Sequence, residues 1–211
     1  MELIANHSGK VKSASEILRQ YRVYNPNLAI APLQPGTDRH WLDAQIEQRY
    51  RRPTEWQTQQ WPDGANVAIA TGARNRLIVI NLSTNSATTE FIDQIADHGG
   101  DLSPYAVRTP IGVQWYYRTR YDRESIPTLA TTIDTPGFKV IAEGQYVVAA
   151  GSLINGCECK ALLDQTLDVA HLPVLPKYFA DALGFAEKST FESSMPSSEE
   201  VVGKFGIRPK F

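Results

Sequence analysis

The chain has 211 residues, 42% of them apolar and 21% charged. That composition builds one large core without disulfide or metal staples and excludes disordered and fibrous classes. No run nears the ~20 apolar residues of a membrane span, and the 21 basic and 23 acidic side chains leave a net charge of −2, so any nucleic-acid site must be a local basic patch.

Apolar residues Ala14, Ile17, Leu18 and Tyr21 recur at helical spacing and predict a helix over 14–23. Ser13 with Glu16 reads as its capping box, and Asn25-Pro26 ends it. A short strand over 28–33 follows, closed by Pro35-Gly36. A second helix is expected over 41–50, stopped by Pro53. Two strands, 66–70 and 76–82, are joined at Thr71-Gly72. The latter is an almost unbroken apolar run, as expected of a central strand covered on both faces. A helix over 86–98 puts Phe91, Ile92 and Ile95 on one face and stops at Gly99-Gly100.

Hairpins are then expected for 105–109 with 113–118, turned by Pro110-Ile111-Gly112, and for 138–142 with 145–150, turned at Glu143-Gly144. Asn155-Gly156 is the strongest hairpin signal and pairs 147–153 with 157–163. A last helix covers 176–183, and the Ser-, Glu- and Lys-rich remainder reads as a flexible tail. The expected organisation is an arm over 1–11, one α+β domain over 12–185 and the tail over 186–211. With no apolar stretch after Met1 and only Cys157 and Cys159 as thiols, neither a secretory signal nor a disulfide framework is visible, which points to a cytoplasmic setting.

Cys157 and Cys159 share a strand face by alternation, but no second pair completes a zinc set, and His7, His40, His98 and His171 have no ligand spacing. Trp115, Tyr116, Tyr117 and Tyr121 interleave with Arg118, Arg120 and Arg123, a pattern that suits stacked bases and tracked phosphates. Alternation sets Trp115 and Tyr117 on one face of the strand, Tyr116 and Arg118 on the other. Arg49, Arg51 and Arg52 form a second basic run, read as a solvated helix end. The two aromatic and two basic residues of 205–211 read as a frayed end.

Four segments in register resemble the bifunctional DNA primase/polymerase N-terminal domains, prim-pol proteins of the archaeo-eukaryotic primase superfamily found on plasmids and phages. Trp61-Pro-Asp-Gly-Ala-Asn-Val-Ala-Ile-Ala-Thr-Gly72 is similar to W-P-x-A-N-I-G-I-A-T-G. Leu77-Ile-Val-Ile-Asn-Leu-Ser83 sits where the family has L-V-V-L-D-I-D, and Arg108-Thr-Pro-Ile-Gly-Val-Gln-Trp-Tyr-Tyr117 where it has x-T-P-S-G-G-R-H-L-Y. Gly137-Phe-Lys-Val-Ile-Ala-Glu-Gly-Gln-Tyr-Val-Val-Ala-Ala-Gly-Ser152 sits where it has G-V-D-V-R-G-x-G-G-Y-V-V-A-P-P-S. His171-Leu-Pro-Val-Leu-Pro176 resembles the closing proline segment, so the resemblance runs over roughly 12–185. It implies an α+β fold in which an N-terminal α/β unit meets an antiparallel, RRM-like sheet unit at a cleft near Asn81, Trp115 and Lys139.

The family's polymerases hold two Mg²⁺ ions on carboxylates. The resemblance places Asn81, Ser83 and Lys139 at the three acid positions and Trp115 at the histidine that contacts nucleotide phosphates. Two neutral oxygens and a cation do not balance two divalent ions, so no catalytic residue, metal or other cofactor is expected. Mg or Mn would matter only if Glu90, Asp134 or Glu143 built a displaced metal site. The expected function is a non-catalytic prim-pol-like protein that binds nucleic acid or nucleotide in DNA replication or a mobile-element setting. Its expected contacts are Arg108, Trp115, Tyr117, Arg118, Arg120 and Lys139, with Lys139 standing where a metal would attract phosphate. The alternatives are an active primase/polymerase with a displaced site and a protein-interaction scaffold. No G-x-x-x-x-G-K-[ST] loop occurs, so a helicase or other replication protein would act in trans.

Overall fold

The structure is a computed structural model that describes residues 12–39, 60–119, 137–163 and 165–182. The expected helix over 41–50, the basic run Arg49, Arg51 and Arg52, the arm and the tail lie outside the described residues.

Helix α1 (Ala14–Arg22) begins as the sequence specifies. The Ser13 hydroxyl accepts the Glu16 N–H at 3.2 Å, and the Ser13 N–H donates to the Glu16 carboxylate at 2.7 Å. Strands β1 (Ile30–Leu33) and β2 (Asn66–Ala70) follow, then β3 (Leu77–Leu82) and helix α2 (Asn85–Asp97), whose cap Thr84 accepts the Ala87 N–H at 3.1 Å. Next come β4 (Ala106–Thr109), β5 (Gly112–Arg118), β6 (Phe138–Ile141) and β7 (Tyr146–Val148). Three two-residue strands close the β-rich part: β8 (Leu153–Ile154), β9 (Cys157–Glu158) and β10 (Lys160–Ala161). A 3-10 turn (Val169–His171) leads into α3 (Lys177–Ala182). No described helix is long and apolar enough to cross a membrane.

The fold is α+β. A three-stranded sheet has the order β1-β2-β7 and a five-stranded sheet the order β10-β4-β5-β3-β6, with every pairing antiparallel. Strand β3 is buried at all six positions because its alternating side chains enter two cores. Leu77 and Val79 join Tyr116, Val107 and Ile141 against α1, β1, β2 and β7. Ile78, Ile80 and Leu82 join Tyr117 and Val140 under Phe91 and Ile95 of α2 and Phe179 of α3. A strand lined on both faces reads as a continuous apolar run, which is how its sequence reads.

Three expectations fail in an instructive way. The segments 138–142 and 145–150 do not form a hairpin. Strand β6 pairs with β3 and β7 with β2, so the Glu143-Gly144 turn carries the chain from one sheet to the other. The strands joined at Thr71-Gly72 belong to different sheets, with a Gly72–Leu77 bridge at the crossing. The Asn155-Gly156 hairpin exists, with φ of 49° and 77° at its two turn residues, but spans only β8 and β9. Beyond those strands, Val147 and Val148 pair with β2, and Lys160 and Ala161 with β4. On α2, Ala87 rather than Ile92 completes the buried face, and Ile92 stays 38% exposed.

Candidate functional site

The end of β3 carries the positions singled out by the sequence. Asn81 pairs with Lys139 on β6 and with Gln114 on β5. The three side chains therefore form one cross-strand row, with neighbours about 4.5–5.5 Å apart at Cβ. Asn81 and Gln114 are buried, at 5% and 3% exposure, while Lys139 is exposed. The Asn81 Oδ1 is buried without a hydrogen-bond partner among the described residues. Gln114 Oε1 accepts the Tyr116 hydroxyl at 3.4 Å. Ser83 lies just past β3, exposed, its N–H donating to the Gly137 carbonyl at 2.9 Å. Here β5 starts so close to β3 that a Cβ on Gly112 would sit 2.8 Å from the Ser83 Cα, and the Gly112 φ of 137° suits glycine alone.

Below the row lies a hydroxyl network. Tyr116 is fully buried and meets Tyr105 edge-on at 5.0 Å. The Tyr105 and Tyr21 hydroxyls are 2.9 Å apart, and the Ala150 N–H donates to Tyr21 at 2.8 Å. Burial pushes the Tyr21 phenol up to about 12 and raises Tyr105 and Tyr116 well above the ordinary phenol value.

The described members of the expected contact set do not assemble into one surface. Trp115 pairs with Ile80 and Ala106, one position out of step with Asn81, so it faces the opposite side of the sheet. Its ring packs 6.5 Å from Phe91 of α2, and its indole N–H is buried without a partner among the described residues. The expected cleft of Asn81, Trp115 and Lys139 is therefore corrected to Asn81, Gln114 and Lys139. Tyr117 is fully buried, edge-on to Phe91 at 6.1 Å, and accepts the Ser103 N–H at 3.2 Å. Burial pushes its phenol up to about 12, and no ring face is left for a base.

Arg108 is exposed, but it pairs with Val113 and Lys160 and so lies on the Trp115 side. Arg118 pairs with Leu77 at the far end of β3, and its guanidinium donates to the Ala170 carbonyl at 3.2 Å. Arg120, Tyr121 and Arg123 lie outside the described residues. Gln114 is the residue that sequence reasoning missed. Its one signal is parity with Asn81, which appears only once β3 and β5 are set in register.

The stand-in acids are no nearer. Glu143 lies in the turn after β6, four residues past Lys139, and its carboxylate accepts the Ala73 N–H at 2.7 Å. Glu90 is exposed on α2, across the sheet from Asn81. Asp134 lies outside the described residues. No three His, Cys, Asp or Glu among the described residues are grouped to hold a metal. The side chains that are present, two carboxamides, a hydroxyl and an ammonium, do not fit a pair of hard divalent cations, which demand anionic oxygens. The thiols do not share a face either: β9 ends at Glu158, leaving Cys157 exposed and Cys159 buried.

No curated protein matches the chain. The family model described as bifunctional DNA primase/polymerase, N-terminal, matches residues 19–175, a stretch that contains most of both cores and all three strands of the row. On that match, the chain belongs to the Prim-Pol family of bifunctional DNA primase/polymerase N-terminal domains.

Proposed function

We propose that this Prim-Pol domain binds the phosphates of nucleic acid or nucleotide without performing metal-dependent nucleotidyl transfer. Family membership gives the coarse role, one related to DNA primases, polymerases and replication. The finer reading is carried by one observation: Lys139 stands directly across from Asn81. For scale, an ammonium and a divalent ion about 5 Å apart repel each other by roughly 7 kcal/mol at an effective dielectric near 20. The same ammonium attracts a phosphate oxygen and replaces the metal's charge without its Lewis acidity. Asn81 and Gln114 add neutral hydrogen-bonding groups and no countercharge.

Purified protein is tested in two assays, primer extension with Mg²⁺ or Mn²⁺ and titration of labelled single-stranded DNA at low and high salt. The expected result is no incorporation and binding that weakens as salt rises, because neutralised phosphates release counterions. Metal-dependent synthesis would establish the enzyme instead. Absence of both synthesis and binding would leave a protein-interaction scaffold. In the proposed role, strand separation and synthesis come from replication proteins acting in trans.

A further inference from the structure

We infer that Gln114 sets the chemical form of the ligand at the Asn81–Lys139 row, selecting phosphate free of divalent metal over phosphate carrying it. This rests on the phosphate-binding reading above and adds a specificity-determining residue to it.

Gln114 is buried and flanks Asn81 on the side away from Lys139. Its amide has two ends with opposite character, and which end serves a ligand decides what the site accepts. The oxygen is held toward Tyr116, which donates its hydroxyl to Oε1 at 3.4 Å and so orients the amide. Tyr116 has little freedom to withdraw: it is fully buried, edge-on to Tyr105, which is itself tied to Tyr21. Burial keeps all three phenols protonated. In that orientation Gln114 offers a ligand its N–H groups, which donate and cannot coordinate a cation.

Asn81 Oδ1 has no partner among the described residues, and half a turn of that amide presents a further donor. A row of carboxamide donors and one ammonium matches bare phosphate oxygens. A divalent ion on those oxygens occupies the same acceptors and meets the lysine's charge. Added Mg²⁺ therefore competes with the row for the ligand.

The test measures binding of deoxyadenosine triphosphate to the full chain by calorimetry, in EDTA and in excess Mg²⁺. Wild type is expected to bind the triphosphate in EDTA and to lose about fivefold or more in Mg²⁺, since charge-assisted bonds are replaced. Gln114→Glu has the same shape and still accepts from Tyr116, but puts a carboxylate in the row. It should lose at least about tenfold in EDTA through like-charge repulsion, and Mg²⁺ should now strengthen its binding. Gln114→Met, without an amide, should lose affinity in EDTA without that reversal of sign. Tyr116→Phe frees Oε1 to turn outward and should shrink the Mg²⁺ effect, a change that loss of packing alone does not produce.

If wild type binds the triphosphate and Gln114→Glu or Gln114→Met leaves both affinity and Mg²⁺ response unchanged, Gln114 is not the selector and the phosphate reading stands. Mg²⁺ strengthening of wild-type binding overturns the inference in the same way. If wild type binds neither the triphosphate nor single-stranded DNA in EDTA, the phosphate reading falls and takes the inference with it.

Discussion

Replacing Trp115 by alanine separates two accounts of the β5 aromatic residues. As a base-stacking platform, Trp115 would contribute about 1–3 kcal/mol to single-strand binding and little to stability. The register instead turns it toward α2, where its ring packs against Phe91. Truncating a fully buried aromatic costs about 3–5 kcal/mol. Trp115 is only partly buried, and removing it also removes an indole N–H that is buried without a partner among the described residues. Relief of such an orphaned donor returns about 1 kcal/mol or more. The net expectation for Trp115→Ala is a loss of roughly 2 kcal/mol, or about 4–8 °C in Tm for a chain of this size. Affinity for single-stranded DNA, measured well below both melting transitions, should stay within about twofold of wild type, as for independent sites on opposite faces. Lys139→Glu should do the reverse, keeping Tm and weakening binding at least about tenfold. A Trp115→Ala protein that melts like wild type and loses more than tenfold in affinity, the full stacking contribution, would refute the face assignment.

Asn81→Asp combined with Ser83→Asp should still give no primer extension with Mg²⁺ or Mn²⁺, because Lys139 remains across from position 81 and Gln114 supplies no charge; robust synthesis would mean that loss of the acids alone had silenced the site. Of the two thiols, Cys157 should label rapidly in the native protein and Cys159 only after unfolding, since burial pushes the Cys159 thiol up to about 12; equal native rates would contradict the broken strand after Glu158. Tyr21 is raised by burial from 10.0 to about 12, so its contribution to stability is complete below pH 10 and is lost as pH climbs toward 12, where the unfolded chain has already released the proton. Circular dichroism and tyrosinate absorbance should therefore change together in that interval, and a native spectrum persisting beyond it would argue against the buried tyrosine network.

Local rules were legible wherever the partner is close in sequence. The Ser13–Glu16 capping box and the β4–β5 hairpin each depend on residues a few positions apart, and each forms. The double burial of β3 was also legible, since a strand with apolar residues on both faces must lie between two layers. What the pattern could not supply was the choice of distant partner. Segments 138–142 and 145–150 alternate and turn as a hairpin does, yet β3 and β2 offer longer apolar edges and divide them. The Asn155-Gly156 turn fixes a hairpin tip and says nothing about how far its arms stay together.

The site was misread for the same reason. Alternation along β5 correctly sets Trp115 and Tyr117 apart from Tyr116, but it is a statement of parity within one strand. Which parity faces Asn81 depends on the offset between β5 and β3, and a slip of one residue exchanges the two sets completely. The observed offset pairs Ile80 with Trp115 and Asn81 with Gln114. It thereby moves the aromatic residues into the core beneath α2 and puts a glutamine beside Asn81. Lys139 escaped this ambiguity in part, because its substitution changes the sign of charge at its position whatever it faces. The consequence for chemistry is concrete: the row combines one exposed cation with two buried carboxamides, and its affinity should follow phosphate charge rather than base stacking.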